Sequence, residues 1–420
     1  MSDWIQNPDL NRLVQELNDV LPSHSDGEGE SAAEIDPAAG PAGAAGSLVA
    51  MPARLGGRLE ARGELAELLA LVAAKGASDL LLVAGRAPML RVDGALHKLS
   101  WGSVSGETLR TLFEDHFDER LRRCLAETGS ADFSVKLPDP QGGLSPWRFR
   151  ANLHRQRGEL AAAIRALPRE IPSLADLNLP PELAQLVRPG HGLVLLCGPT
   201  GAGKSSTLAA LVREIYRQRV CHIVTIEDPV EYDHVTDRGV VEHVEVGRDA
   251  PSFAQALRAA LRQDPDVLLV GEMRDLPTIQ AAMTAAETGH LVLSTLHSGS
   301  APRAVHRVID VFPAQQQTQV RVQLAQALRA VVVQTLLPRS EGVGRLPAVE
   351  VLQATYAVRQ LIRTQHPEKL YNEITLGRRQ GMITLEASLA EWVRKGKVDR
   401  EEALLRANHP QELESLLSRD

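Results

Sequence analysis

Short apolar runs alternate with longer amphipathic segments through the second half of this 420-residue chain. Four such runs, each bounded by polar or turn-forming residues, occupy positions 193–197, 223–226, 267–270 and 291–295. Strands separated by helices in this way are typical of a parallel sheet whose two faces are both covered. We therefore predict an α/β domain over residues 176–420, with a helical C-terminal region that begins at about residue 320.

A different pattern precedes this domain. A helical repeat of apolar residues spans 59–74, and shorter strand-like runs follow at 79–83, 89–92, 149–152 and 161–167. Strands and helices that do not alternate regularly are typical of α+β folds. We therefore predict a small α+β domain over residues 59–175.

The first 58 residues have a composition of their own. Asn7 fits a helix N-cap and Pro8 a first helical position, ahead of apolar residues at helical spacing: Leu10, Leu13, Val14, Leu17 and Leu21. From residue 23 to 57 the chain is rich in Ala, Gly, Ser and acidic residues, a composition that predicts a flexible linker. We interpret residues 1–21 either as a docking peptide that recruits another protein, or as an extension without such a role.

Composition narrows the classes of function. The formal net charge of −7 provides no positive field that would concentrate nucleic acid, so we expect no nucleic-acid partner. The three cysteines, Cys124, Cys197 and Cys221, lie far apart, which argues against a zinc site or a disulfide framework and favours a reducing cytoplasm. No apolar run approaches the ~18 residues of a membrane span, so we expect no direct membrane insertion.

The sequence from Gly198 to Ser205 reads GPTGAGKS, the GxxxxGK[ST] pattern of a phosphate-binding loop. It follows a predicted strand and precedes a predicted helix, which is the context that the motif needs. Glycines let backbone N–H groups surround the phosphates of ATP, Lys204 reaches the β- and γ-oxygens, and the Ser205 hydroxyl ligates Mg²⁺. The predicted nucleotide-binding residues are Gly198, Pro199, Thr200, Gly201, Ala202, Gly203, Lys204, Ser205 and Ser206.

Three further polar clusters follow the other predicted strands. Glu227 follows the second strand, Glu272 the third and His297 the fourth. In an open α/β sheet, side chains just past the carboxyl ends of the strands face the ligand crevice. Carboxylates there can polarise the attacking water or reach the metal ion through water, and a histidine there can sense the γ-phosphate. Read alone, the acidic turn is also compatible with a solvated loop, and the histidine with a structural residue.

In this order the four clusters resemble the Walker A motif, Asp box, Walker B motif and His box of type II and type IV secretion ATPases. The similarity is greatest to the PilT-type ATPases that retract type IV pili. It runs from about residue 60 to 415 and includes the stretches VGRD (246–249), SFAQALRAALRQDPD (252–266), VGEMRD (270–275) and AAETGH (285–290). The resemblance implies a RecA-like P-loop ATPase core, a smaller PAS-like N-terminal domain and a helical C-terminal tail.

The resemblance also implies roles for individual residues. Glu227 corresponds to the catalytic glutamate of the Asp box, and Glu272 to the Walker B glutamate that acts on Mg²⁺ or its water, with the division between the two left open. Family members supply arginines to the nucleotide from the stretch of the N-terminal domain that holds Arg148, Arg150 and Arg165. An arginine at the γ-phosphate stabilises transition-state charge, whereas the alternative for each is an ordinary surface salt bridge. We favour Arg150 and Arg165.

A late segment, AVRQLIR at 357–363, resembles the AIRNLIRE motif of PilT-type proteins. The tetracysteine zinc motif that is typical of pilus-assembly and type II secretion ATPases is missing from the sequence. Both features favour retraction. The resemblance therefore implies a homohexameric motor that uses ATP and Mg²⁺, works in the cytoplasm at the inner face of the bacterial inner membrane, and acts on the inner-membrane platform protein of a type IV pilus.

Several positions depart from the family pattern. Leu81 and Leu82 stand where PilT-type proteins often have a histidine, Val244 stands where they commonly have arginine, and the first 58 residues have no counterpart. An accessory motor is therefore one alternative, and an assembly or type II secretion ATPase is another. A nucleotide-dependent interaction module is the alternative from a different class of protein.

Overall fold

The computed structural model describes residues 61–92, 94–138, 146–236, 238–342 and 344–418. The chain divides into two compact units between Arg169 and Glu170, whereas the sequence predicts a boundary at residue 175. The predicted helix at 7–21 and the predicted linker at 23–57 lie outside the described residues.

The first unit is built on a six-stranded antiparallel sheet. Its elements are α1 (Ala61–Ala74), β1 (Asp79–Val83), β2 (Met89–Val92), β3 (Ala95–Lys98), α2 (Gly106–Leu112), α3 (Glu119–Glu127), β4 (Ser130–Leu137), β5 (Trp147–Gln156) and β6 (Glu159–Leu167). The strand order is β3-β2-β1-β6-β5-β4. Leu68 of α1, Leu109 of α2 and Phe149 of β5 share one buried core, so the helices pack on the sheet. The α+β character predicted for this part of the chain is confirmed.

The second unit contains a larger sheet and more helices. Its elements are β7 (Gly192–Cys197), α4 (Lys204–Gln218), β8 (His222–Glu227), β9 (Val240–Glu245), α5 (Phe253–Ala260), β10 (Val267–Val270), α6 (Leu276–Glu287), β11 (Leu291–Leu296), α7 (Ala301–Asp310), α8 (Ala314–Ala327), β12 (Leu328–Pro338), β13 (Arg345–Gln353), α9 (Tyr356–Arg363), α10 (Leu370–Leu376), α11 (Leu385–Arg394), α12 (Arg400–Arg406) and α13 (Pro410–Leu417).

The seven strands of this sheet follow the order β13-β12-β7-β11-β10-β8-β9. Every neighbouring pair from β12 to β9 is parallel, and β13 is antiparallel to β12. All residues of β7 and β11 are buried, as expected for parallel strands that helices cover on both faces. Leu195 and Val194 of β7 accordingly enter two separate apolar cores, one on each face. The parallel α/β sheet predicted from the sequence is confirmed.

The predicted series of helices from about residue 320 is wrong for residues 328–353. Those residues form β12 and β13, which extend the sheet beyond β7. The stretch AVVVQTLL at 330–337 favours a strand because its β-branched residues fit a pleated, buried surface, and its apolar positions show no helical period. Helices resume at α9 and continue to α13.

The last helices pack against this strand pair. Leu337 of β12, Leu389 of α11 and Leu413 of α13 are fully buried in one apolar core. The C-terminal helices therefore pack against β12, which borders β7, and against β13. Among the described residues, no helix combines the length and the apolar character that crossing a membrane requires.

Candidate nucleotide site

The loop from Gly198 to Gly203 connects β7 to the first residue of α4. Gly198 has a φ of 141°, and a Cβ at this position would lie 2.2 Å from the carbonyl oxygen of Gln334, so only glycine fits. Gly203, at the N-cap of α4, has a φ of 82° and provides no side-chain cap. The first N–H groups of α4 therefore remain available at the positive end of the helix dipole, which is the arrangement that binds phosphate.

Lys204 lies across this loop. Its Nζ donates to the carbonyl oxygens of Gly198 and Pro199, both at 2.9 Å. Burial lowers the pKa of the Lys204 ammonium, whereas the negative charges of Glu272 and Glu231 act in the opposite direction. Because neutral carbonyls hold the ammonium at the loop, its charge is left to bind an anionic phosphate.

The parallel strands bring the other predicted residues to the same edge of the sheet. Strand β10 pairs in parallel with both β8 and β11. Glu227 is the last residue of β8, Glu272 lies just after β10, and His297 directly follows β11. The charges of Lys204 and Glu272 both act on the pKa of His297, so these three side chains are close enough to interact electrostatically.

The two glutamates have partners of their own at this edge. Oε2 of Glu272 forms an ion pair with Nε of Arg274 at 2.6 Å, and the Glu272 side chain is only 21% exposed. Oε2 of Glu227 accepts a hydrogen bond from the backbone N–H of Glu231 at 3.4 Å. The charge of Glu272 acts on Lys204 of the phosphate-binding loop, and so does that of Glu231, whose backbone N–H bonds Glu227.

A hydrogen bond to its backbone positions His297, and its surroundings change the pKa of its imidazole. Its carbonyl oxygen accepts a hydrogen bond from the Arg307 guanidinium at 2.7 Å. Burial lowers the pKa of the His297 imidazole, the nearby charge of Lys204 lowers it further, and Glu272 partly opposes both. The neutral ring is favoured, and a neutral imidazole still carries one N–H that can donate to a phosphate oxygen.

Gln334 of β12 supports the loop from the adjacent strand and was not identified from the sequence. Its Nε2 donates to the carbonyl oxygen of Ala202 at 2.7 Å, and its Oε1 accepts from the Thr207 hydroxyl at 2.8 Å. The residue is only 3% exposed. A signal was present, because Gln334 directly follows four apolar residues of a buried strand and a buried amide must find hydrogen-bond partners.

The residues at the loop fit ATP and Mg²⁺. The uncapped start of α4 and the Lys204 ammonium offer donors and positive charge to phosphates. Ser205, the second residue of α4, is half-buried beside them, and Glu272 supplies an oxygen donor at the neighbouring strand end. Hydroxyl and carboxylate oxygens are the ligands that Mg²⁺ prefers in proteins.

The predicted arginines belong to the first unit. Arg150 on β5 and Arg165 on β6 lie directly opposite each other in the antiparallel ladder. Arg165 donates to Oδ1 of Asp79 at 2.9 Å, and Arg150 forms a longer ion pair of 3.8 Å with Asp132. Arg148, which we favoured less, is only 6% exposed. Both favoured arginines are exposed, and their contact with nucleotide stays a prediction.

The late segment that resembles the AIRNLIRE motif forms helix α9, and its two arginines differ in role. Arg359 donates to the carbonyl oxygens of Gln326 at 2.7 Å and Leu328 at 2.8 Å, and it also bonds Ala325 and Ala354. It therefore caps the C-terminus of α8, where a cation is favourable. Arg363 is exposed and donates to the carbonyl oxygen of Arg359 at 3.3 Å.

Comparison with known proteins places this site in a family. The family model for type II/IV secretion system proteins matches residues 162–405. The chain belongs to this family. It is 41% identical over 348 residues to the type IV pilus retraction ATPase PilT of Pseudomonas aeruginosa, a match that covers 83% of this chain and 99% of that protein. It is 39% identical to a twitching motility protein of Neisseria gonorrhoeae, over 78% of this chain and 86% of that protein.

A solved structure agrees with this relationship. The crystal structure of the pilus retraction motor PilT with bound ADP matches at a TM-score of 0.76 and 41% identity, and the match covers 83% of this chain and 98% of that one. The resemblance to PilT-type secretion ATPases and the RecA-like core that it implied are therefore confirmed.

Proposed function

We propose that this secretion ATPase is a homohexameric motor that hydrolyses ATP to retract type IV pili, and so drives twitching motility. One observation carries the proposal. The phosphate-binding loop, with Lys204 in electrostatic contact with Glu272 and His297, lies in a chain that aligns with 99% of a pilus retraction ATPase. A loop without these side chains would support nucleotide binding alone.

Each residue at the sheet edge has a distinct task in this proposal. Lys204 and the N-terminus of α4 bind the β- and γ-phosphates, and Ser205 and Glu272 would hold Mg²⁺, which would neutralise charge on the phosphate oxygens. Glu227 orients the attacking water. His297, with its lowered pKa, donates a hydrogen bond to the γ-phosphate and so distinguishes ATP from ADP.

A motor must couple ATP hydrolysis to a change in the position of one domain relative to another. In the proposed cycle, Arg150 and Arg165 approach the γ-phosphate when ATP is bound and withdraw after hydrolysis. Because an arginine stabilises transition-state charge, its arrival couples turnover to one packing of the domains and its departure to another. The force acts on the inner-membrane platform protein of the pilus, from the cytoplasmic side.

Residues 1–21, which lie outside the described part of the chain, have a separate proposed role as a docking peptide for a regulator or a second motor. Pull-downs with and without residues 1–57 test that role independently of the nucleotide site. Equal partner recovery in the two experiments would count against it.

The motor proposal is tested by Lys204→Ala, with Lys369→Ala as the matched control because Lys369 is an exposed lysine of the same unit. We expect Lys204→Ala to abolish ATP hydrolysis and Lys369→Ala to leave it unchanged. Turnover at the wild-type rate in Lys204→Ala would refute the assigned site.

Experiments in cells distinguish pilus retraction from pilus assembly. A deletion strain and a strain with Lys204→Ala should both carry abundant surface pili and show no twitching. Cells without pili would instead identify an assembly motor, and unchanged cells would identify an accessory or unrelated secretion ATPase.

A further inference from the structure

The loop that follows His297 is held by residues from the distant C-terminal part of the chain. This loop, residues 298–300, leads from β11 into α7. Nδ2 of Asn408 donates to the carbonyl oxygen of Gly299 at 3.0 Å, and Oε1 of Glu350 accepts from the backbone N–H of Ala301 at 2.6 Å. Both contacts join residues that are far apart in sequence, so the fold alone brings them together.

Glu350 is an unusual residue for a fully buried position on a strand. It lies on β13, is completely buried, and its Oε2 has no hydrogen-bond partner among the described residues. A buried carboxyl group costs free energy unless something compensates for it. Here the compensation is the first N–H of α7, whose helix dipole also favours a negative group at that end. The far end of the His297 loop is therefore fixed by β13.

Asn408 is placed by the packing of the last helices. The backbone N–H of the next residue, His409, donates to Oε1 of the fully buried Glu386 on α11 at 2.8 Å. The Tyr371 hydroxyl donates to Oε2 of Glu386 at 2.9 Å and lies 2.6 Å from a carboxylate oxygen of Glu412 on α13. A shift of α10, α11 or α13 would therefore move Asn408 as well.

We propose that Glu350 and Asn408 are positioning residues for His297, through which the C-terminal helices control how well the nucleotide site distinguishes ATP from ADP. The inference rests on the proposed contact of His297 with the γ-phosphate. Arg307 fixes the first carbonyl of the segment, Asn408 the middle and Glu350 the end. Any partner that moves the C-terminal helices therefore alters the histidine without touching nucleotide.

Two substitutions, Glu350→Gln and Glu350→Met, distinguish a positioning role of Glu350 from a purely packing role. Both replacement side chains are neutral and close to glutamate in length, but only glutamine keeps an oxygen that accepts from Ala301. The readout is the ratio of the dissociation constants for ADP and for a non-hydrolysable ATP analogue, measured on the full chain. A purely structural contact would change melting temperature without changing that ratio.

We expect Glu350→Gln to keep the wild-type ratio within about twofold and Glu350→Met to lower it by about fivefold or more, because a buried donor is left unpaired. ADP affinity should stay within about twofold of wild type in both. Asn408→Ala should shift the ratio in the same direction by about twofold to threefold, as expected for an exposed hydrogen bond, while Asn372→Ala, an exposed asparagine of α10, should not.

Combination with His297→Ala completes the test. His297→Ala should abolish the preference for the ATP analogue, and Glu350→Met should then cause no additional loss. An unchanged ratio in Glu350→Met overturns the proposal. The proposal is also overturned if Glu350→Met lowers the ratio as much in the His297→Ala background as it does in the wild-type background. If Glu350→Met fails to fold, Asn408→Ala decides alone, and a ratio equal to that of Asn372→Ala overturns it. An unchanged ratio in His297→Ala removes the basis of this inference, whereas Lys204→Ala still tests the motor separately.

Discussion

Substitution of Gln334 by leucine should weaken nucleotide binding, although residue 334 lies far from the phosphate-binding loop in sequence. Leucine is apolar and of similar size, so it removes the bond to the Ala202 carbonyl and the bond from the Thr207 hydroxyl. Each bond contributes about 1 kcal/mol net, and an unpaired buried partner costs about 1–3 kcal/mol. We expect a total of about 2–4 kcal/mol, because the buried Ala202 carbonyl loses this donor, whereas the Thr207 hydroxyl still donates to the Gly203 carbonyl oxygen at 3.2 Å.

Only part of this free energy appears in binding. In the variant, the loop must be brought into the geometry that accepts phosphate when ADP binds. If this costs about 1–2 kcal/mol of binding free energy, ADP affinity falls about 5-fold to 30-fold. The remainder lowers the melting temperature. Thr207→Val keeps the shape of the side chain and removes one of the two bonds of Gln334, so its effect on ADP affinity should be smaller, about twofold to fivefold.

Isothermal titration calorimetry with ADP, together with melting curves, checks this reasoning. Gln319→Leu is the matched control, because it makes the same change on an exposed face of α8. The control should bind ADP as wild type does. Wild-type ADP affinity and an unchanged melting temperature in Gln334→Leu would show that β12 does not support the loop.

Two further predictions concern stability. Burial raises the pKa of Glu350 from 4.5 to about 7. The protonated Glu350 carboxyl group therefore contributes fully to stability below about pH 4.5, and this contribution is lost as the pH rises through about 7. Glu350→Gln cannot ionise, so between about pH 5 and pH 8 it should gain up to about 3 kcal/mol relative to wild type, seen in melting curves, whereas Glu341→Gln, an exposed control, should show no such trend. Arg359→Ala should destabilise by about 3 kcal/mol, since it removes charged donors from the end of α8, and should lower the melting temperature by roughly 6–12 °C. Arg363→Ala, on the exposed face of the same helix, should change stability by less than about 0.5 kcal/mol, and equal losses in the two variants would contradict the capping role.

The parts of the site that were predicted from the sequence depend on short-range order. The phosphate-binding loop is contiguous, and its glycines and lysine have a fixed spacing. The carboxyl ends of parallel strands meet at one edge of a sheet, so apolar runs followed by Glu227, Glu272 and His297 were enough to predict that these residues would lie together. No distant contact had to be known.

The parts that were missed depend on distant contacts. Gln334 and Ala202 are 132 residues apart, and Asn408 and Gly299 are 109 residues apart. Nothing near Glu350 in sequence indicates that its carboxylate meets the start of α7. The strands at 328–353 were mistaken for helices because a short apolar run has the same appearance in a buried strand and in a buried helix.

The position of β12 in the sheet has a practical consequence for dividing the chain. A fragment that ended at residue 327 would contain every recognised nucleotide motif, yet it would lack β12, one of the two strands that pair with β7. All six residues of β7 are buried, and its open edge would then present unpaired backbone groups on an apolar strand, which is a template for aggregation. The smallest piece of this protein that can be expected to behave as an enzyme is therefore longer than its motifs indicate, and it has to include a strand that carries no catalytic signature.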